Sequence, residues 1–221
     1  MLLRVENLKK YYGSGSSKIE VLKGLSLEVD RGSIVSLIGK SGSGKSTLLN
    51  LIGTLDTPDS GEILYDGVSI LGLDDKKKAR FRNRNIGFIF QAHYLLPEFS
   101  SIENVMIPGL ISGEKESHVR KRAEKLLEMV GLKDRVEFRS KDLSGGEQQR
   151  VAIARGVINS PGLILADEPT GNLDSENSEV IRNILWNLAR EENSGLILVT
   201  HDLNLAEKAD RSLSIVDGVV S

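Results

Sequence analysis

An α/β fold built on a mainly parallel sheet follows from three features of the 221-residue sequence. Segments rich in β-branched residues alternate with helical patterns, the arrangement that covers both faces of a parallel sheet with helices. The runs LILA (163–166) and LILV (196–199) are apolar at every position, as strands buried on both faces require. A glycine-rich stretch, GKSGSGKST at 39–47, separates the strand-like IVSLI from the helix-like STLLNLIG.

In chain order, strands are expected at LLRVEN (2–7), LSLEV (25–29), IVSLIG (34–39), GEILYDG (61–67), IGFIFQ (86–91), GLILAD (162–167), GLILVTHD (195–202) and RSLSIVDG (211–218). The early ones follow one another through turns such as DRG and YDG, so they are expected to form a small antiparallel layer beside the parallel core. No core strand is expected between Phe90 and Leu143. That stretch opens with a capping box, Ser100 to Glu103, and continues into a helix from about Glu116 to Val130. Val119, Ala123, Leu126, Leu127 and Val130 fall on one face of it. Residues 92–142 therefore read as a helical subdomain inserted into one domain spanning 1–221, with no internal repeat.

Composition narrows the partners. With 29 basic and 31 acidic residues the net charge is −2, so no global field favours nucleic acid or anionic lipid. The run KKKARFRNR (76–84) interleaves a single aromatic and reads as a solvated helix face, with contact to lipid headgroups or a partner as its other use. The absence of cysteine excludes disulfides and thiolate metal sites. The start MLLRVENLKK lacks a signal-peptide pattern, and no apolar run approaches the roughly 20 residues that span a bilayer. If the chain serves a membrane, another chain does the spanning.

Gly39, Gly44, Lys45 and Ser46 satisfy G-x-x-x-x-G-K-[ST] between a strand and a helix. Glycines let backbone N–H groups approach phosphate oxygens, the helix start adds positive potential, and Lys45 supplies a mobile charge for the β and γ phosphates. Lys40, Ser41, Gly42, Ser43 and Thr47 complete the expected cradle for ATP, and the Ser46 hydroxyl is a candidate Mg²⁺ ligand. At the end of GLILADE, Asp167 and Glu168 stand side by side. Successive residues at a strand end point differently, so Asp167 is expected to hold Mg²⁺ through water and Glu168 to polarise the attacking water.

A second glycine element, LSGGEQQR at 143–150, also precedes a helix. One triphosphate needs only one cradle, so this helix start is expected to face a nucleotide on another molecule. A local reading also fits the pattern, with Ser144 capping its own helix and Glu147 completing a capping box, but leaves the paired glycines unexplained. Here the sequence resembles the ATP-binding cassette family, whose signature is this LSGGQ-type segment. The resemblance covers essentially the whole chain. It implies a head-to-tail pair of cassettes sandwiching two ATP molecules, with Ser144, Gly145 and Gly146 contacting the γ-phosphate in trans. It further implies that Tyr12, rather than its neighbour Tyr11, stacks on adenine, that Gln91 senses Mg²⁺ and couples to membrane helices, that His201 contacts the γ-phosphate, and that Asp174 crosses the dimer interface. The segment GNLD (171–174) departs from the commoner S-A-L-D at Gly171 and Asn172, which leaves their roles open.

The segment AHYLLPEFSSIENVMIPGLISG (92–113) is similar to that of the lipoprotein-releasing branch of the family, which shares its motifs with macrolide and peptide exporters and the cell-division cassette. The resemblance implies integral membrane subunits as partners and a peripheral position on the cytoplasmic side of the inner membrane. Leu95, Leu96, Pro97 and Phe99, if exposed, form a socket for a coupling helix; otherwise they pack the insert. Chromosome-type cassettes carry a long coiled coil between the glutamine and signature segments, and ribosome-acting ones carry two cassettes, and neither feature is present.

Overall fold

The computed structural model describes residues 1–220. Its elements are β1 (Leu3–Tyr12), β2 (Ile19–Val29), β3 (Ile34–Ile38), α1 (Lys45–Ile52), β4 (Ser60–Tyr65), β5 (Val68–Ser69), α2 (Asp75–Asn85), β6 (Ile86–Phe90), α3 (Ser101–Ile111), α4 (Glu116–Met129), α5 (Gly145–Val157), β7 (Leu163–Asp167), α6 (Ser175–Glu191), β8 (Gly195–Val199), α7 (Leu203–Ala206), β9 (Arg211–Val216) and β10 (Val219–Val220). All eight expected strands form. The two that periodicity does not signal, β5 and β10, are two-residue arms of hairpins turning at Asp66–Gly67 and Asp217–Gly218.

The strands divide into two sheets. A four-stranded antiparallel sheet has the order β2-β1-β4-β5, and a six-stranded sheet has the order β10-β9-β3-β8-β7-β6, parallel except for β10. Side chains of the parallel strands alternate between two cores. Leu163, Leu165, Ile197 and Val199 face α1 and the antiparallel sheet, while Ile164, Ala166, Leu196 and Leu198 face Ile181, Leu185 and Leu188 of α6. This two-sided burial is why LILA and LILV are apolar at every position.

A third core joins α3, α4 and α5 through Ile102, Val105, Val119, Ala123, Leu127 and Val151. The capping box expected at Ser100 starts α3, with the Ser100 amide donating to Glu103 Oε2 at 2.8 Å. Asn104 is fully buried; its amide nitrogen donates to the carbonyls of Leu96, Phe99 and Ser100, and its oxygen accepts from the Leu96 amide at 2.8 Å. That side chain fixes the shape of the preceding loop. Helix α2 carries the basic run and buries none of its residues.

α5 crosses β6 at two glycines. A Cβ on Gly87 would lie 2.5 Å from the Gly156 carbonyl oxygen, and one on Gly156 would lie 2.9 Å from that of Phe88. The atoms met are backbone and cannot swing aside. Gly87→Ala is therefore expected to cost about 1–3 kcal/mol and lower the thermal midpoint by roughly 2–12 °C. An unchanged midpoint in a melting experiment would show that α5 has room to spare there.

Candidate functional site

The glycine loop leaves β3 and ends where α1 begins. Gly39 has φ 156°, and a Cβ there would lie 2.4 Å from the Ile215 carbonyl oxygen, so no side chain fits. Gly44, at φ 104°, turns the chain into α1 without any side-chain cap, leaving the first-turn amides aimed at the loop mouth. The Ser43 hydroxyl is buried with no hydrogen-bond partner among the described residues. Lys45 is nearly buried, and its ammonium donates to the carbonyls of Gly39 at 2.8 Å and Lys40 at 2.9 Å. Uncapped amides, an orphaned hydroxyl and a cation in one mouth match the donor set of a phosphate site.

The acidic pair sits at the end of β7, beside α1. Burial pushes the Asp167 carboxyl above the usual carboxylate range, against the opposing hydrogen bond from the Ser46 hydroxyl. Two adjacent oxygen donors, with no cluster of three or more metal-binding side chains among the described residues, suit a hard cation that draws its other ligands from phosphate and water. Glu168 has φ 48°, so its side chain leaves the strand direction and lies 2.9 Å from His201 Nδ1. Gln91, just past β6, donates to Asn172 Oδ1 at 3.2 Å. A Cβ on Gly171 would lie 2.8 Å from the Gln91 amide nitrogen. The departures at Gly171 and Asn172 thus have one local use: the first makes room for Gln91 and the second holds it.

One cavity of about 810 Å³ is lined by Tyr12, Gly39, Ser41, Gly42, Gly44, Lys45, Ser46, Thr47, Gln91, Asp167, Glu168 and His201. Lys40 and Ser43 belong to the loop but not to that lining. Ser144, Gly145, Gly146 and Asp174 do not line it either. The Ser144 hydroxyl accepts from the Glu147 amide at 3.3 Å, and Glu147 Oε2 accepts from the Ser144 amide at 2.8 Å, so the capping box is formed. Asp174 caps α6, accepting from the Asn177 amide at 2.8 Å. The paired glycines separate in role. A Cβ on Gly146 would strike the Asn177 side chain at 2.7 Å, whereas one on Gly145 meets nothing closer than Leu173 at 4.0 Å. Packing within the chain therefore accounts for Gly146 and not for Gly145.

Sequence reasoning missed the support under Tyr12. The Tyr12 hydroxyl donates to Asp56 Oδ2 at 2.8 Å, and Lys10 donates to Asp56 Oδ1 and to the Thr57 carbonyl, both at 2.7 Å. Burial pushes the Asp56 carboxyl up, but the hydrogen bonds from Lys10, Tyr12 and the Thr57 amide outweigh it and hold it below its usual range. The KK before YY is the only sequence trace of this network. His93 and His118, which carry no motif, do not line the cavity.

A glycine loop with its lysine at a helix start, facing a strand-end aspartate across the edge of a parallel sheet, defines a P-loop nucleotide hydrolase. Comparison with known proteins narrows the class. The family model described as "ABC transporter" matches residues 22–171. A lipoprotein-releasing system ATP-binding protein, LolD, of Porphyromonas gingivalis is 48% identical over 220 residues, covering 100% of this chain and 99% of that protein. The LolD of Syntrophus aciditrophicus is 49% identical, with 99% and 98% covered. A solved dimeric, post-hydrolysis ATP-binding cassette bound to ADP and Pi superposes with a TM-score of 0.92 at 40% identity, covering 100% of this chain and 97% of that one. The chain belongs to the ABC transporter family, as an ATP-hydrolysing cassette.

Asp56→Asn removes the charge that Lys10 and Tyr12 share. With Tyr12 against the nucleotide base, as the resemblance implies, the expected outcome is a rise of roughly 3- to 10-fold in the KM for ATP with kcat little changed, since a hydrogen bond to a charged group contributes about 1.5–3 kcal/mol and only part of it would reach the base. Because the folded pKa of Asp56 is depressed, its contribution is present above the unfolded value of about 3.9 and is lost only as pH falls through the lower folded value. The mutant-to-wild-type KM ratio is thus expected to stay flat between pH 6 and 8, which steady-state kinetics checks.

Proposed function

We propose that this chain, one cassette over residues 1–221 with a helical insert at 92–142, powers the release of lipoproteins from the inner membrane. It does so as a head-to-tail pair bound peripherally, on the cytoplasmic side, to integral membrane subunits. The observation that carries the paired arrangement is the placement of the signature: Ser144, Gly145 and Gly146 lie outside the cavity, and Gly145 has no packing reason to be glycine. Similarity to two full-length lipoprotein-releasing cassettes supports the cargo. Among the described residues no helix is long and apolar enough to cross a membrane, so the spanning falls to partner chains.

In the proposed cycle Tyr12 stacks on adenine while the amides of the 39–47 loop and Lys45 hold the β and γ phosphates. Ser46, Asp167 and Gln91 would hold Mg²⁺, which would supply charge neutralisation on the phosphates. Glu168 accepts the proton of the attacking water, and His201, in contact with Glu168, faces the γ-phosphate. From the second copy, Ser144, Gly145 and Gly146 close over the γ-phosphate and Asp174 crosses the interface.

The membrane subunits have an exposed apolar surface to engage. Leu96 and Phe99 are 43% and 42% exposed on the loop fixed by Asn104, while Leu95 packs inward against the helical core. Elsewhere on the surface, a groove of about 430 Å³ between α2, β6 and α3 is lined by exposed Leu55 and Ile111 and half-buried Phe88 and Pro108. Its β6 wall runs directly into Gln91, so a coupling helix seated there would press on the segment that ends in that glutamine.

Glu168→Gln is expected to slow hydrolysis by roughly 10²- to 10⁴-fold with ATP binding retained, measured by phosphate release and nucleotide titration. Undiminished turnover would remove Glu168 from the mechanism. Leu55→Glu with Ile111→Glu, both at exposed positions, is expected to abolish co-purification of the membrane subunits while leaving the isolated cassette's ATPase rate unchanged. In that pull-down, recovery of division proteins or an efflux partner by the unmodified chain would overturn the cargo assignment.

A further inference from the structure

Directly after Gln91 the backbone takes an unfavourable path. His93 and Tyr94 have φ of 58° and 49°, two consecutive side-chain-bearing residues in the left-handed region. L-residues visit that region singly and rarely, and they stay there only where their surroundings over-determine it. The backbone holds part of it, with the His93 amide donating to the Phe90 carbonyl at 3.2 Å and the Tyr94 amide to the Ala92 carbonyl at 2.6 Å, and one distant side chain adds the rest. The Arg155 guanidinium donates from Nη2 to the His93 carbonyl at 2.5 Å and from Nη1 to the Tyr94 carbonyl at 2.6 Å. Two parallel donors on a rigid plane hold two successive carbonyls on the same side, which is the geometry the left-handed pair requires. Arg155 forms no ion pair among the described residues, so its hydrogen bonds go to this loop.

Two further contacts bind the same loop. The His93 ring meets the Gln148 side chain, and the Tyr94 ring packs edge-on against Phe90 at 5.3 Å. Gln148 and Arg155 both belong to α5, the helix that begins with the signature glycines. Arg155 also lines the groove beside α3.

We infer that Arg155 is a positioning residue for ATP hydrolysis: by clamping the left-handed turn at His93–Tyr94 it sets where Gln91 enters the nucleotide cavity. This rests on the proposed role of Gln91. A lysine at 155 offers a single ammonium in place of the planar fork and cannot replace the clamp. Glycine at 94 adopts positive φ without restraint, so it lessens the need for one.

The test compares Arg155→Met, Arg155→Lys, Arg155→Met/Tyr94→Gly and, as reference, Gln91→Ala in the full chain. It measures ATP affinity, kcat, the Mg²⁺ concentration for half-maximal rate and the thermal midpoint. Arg155→Met and Arg155→Lys are expected to lower kcat by roughly 10- to 100-fold, the scale of an ångström-level misplacement, and to raise the Mg²⁺ requirement, as Gln91→Ala does, with ATP affinity within about 2-fold of wild type. Adding Tyr94→Gly is expected to recover most of the lost kcat. The inference is overturned if Arg155→Met keeps full turnover while Gln91→Ala loses it, or if the loss only tracks a fallen midpoint and glycine restores nothing. If Gln91→Ala itself keeps full turnover, the reading of Gln91 fails and the positioning role fails with it.

Discussion

The parallel register of four strands governs the site. Leu37 pairs with Val199, Val199 with Asp167, and Asp167 with Phe90, so β3, β8, β7 and β6 end in one row. From that row the chain emits the glycine loop, His201, Glu168 and Gln91 within one to three residues of the strand ends. Because these strands run parallel, their carboxyl ends lie on the same edge of the sheet, and that edge is where ligands of such folds gather. A slip of one residue of β7 against its neighbours would send Asp167 to the opposite face and break the row. The dense apolar packing of both faces is what makes such a slip prohibitive.

Much of this was legible in the sequence because it is local. The glycine spacing, the apolar runs and the two capping boxes each depend on neighbours within a few positions, and the structure contains each of them. The extent of β1 was less legible: LLRVEN signals only its first half, yet the strand continues to Tyr12 because Lys9 to Tyr12 pair across to β2. What stayed hidden is non-local. Asp56 meets Tyr12 across 44 positions, Asn172 meets Gln91 across 81, and Arg155 meets the 93–94 carbonyls across 61 and 62. Nothing in a single sequence marks an aspartate or arginine as the partner of so distant a group. The socket expected at Leu95–Phe99 divides for a similar reason: which of four apolar side chains faces outward depends on how Asn104 folds the loop around itself.

Helix α5 carries two kinds of information at once. Its first turn holds a capping box, complete within the chain, and a glycine, Gly145, whose Cβ would meet nothing closer than 4.0 Å among the described residues. Its last turns cross β6 at Gly87 and Gly156 and grip the loop after Gln91 through Arg155. In the proposed sandwich, a helix so placed connects the edge of one nucleotide cavity with the surface offered to the phosphates of another. The cavity itself brings together its loop, its acidic pair and Tyr12, and in the proposed sandwich the signature of a second copy closes it.

That closure is the central claim, and sedimentation of the Glu168→Gln chain tests it most directly. With saturating ATP and Mg²⁺ the account predicts a dimer that reverts to monomer in ADP, and a monomer under both conditions once Gly145→Arg is added. A chain that stays monomeric with ATP, or a dimer indifferent to both nucleotide and Gly145, would contradict it.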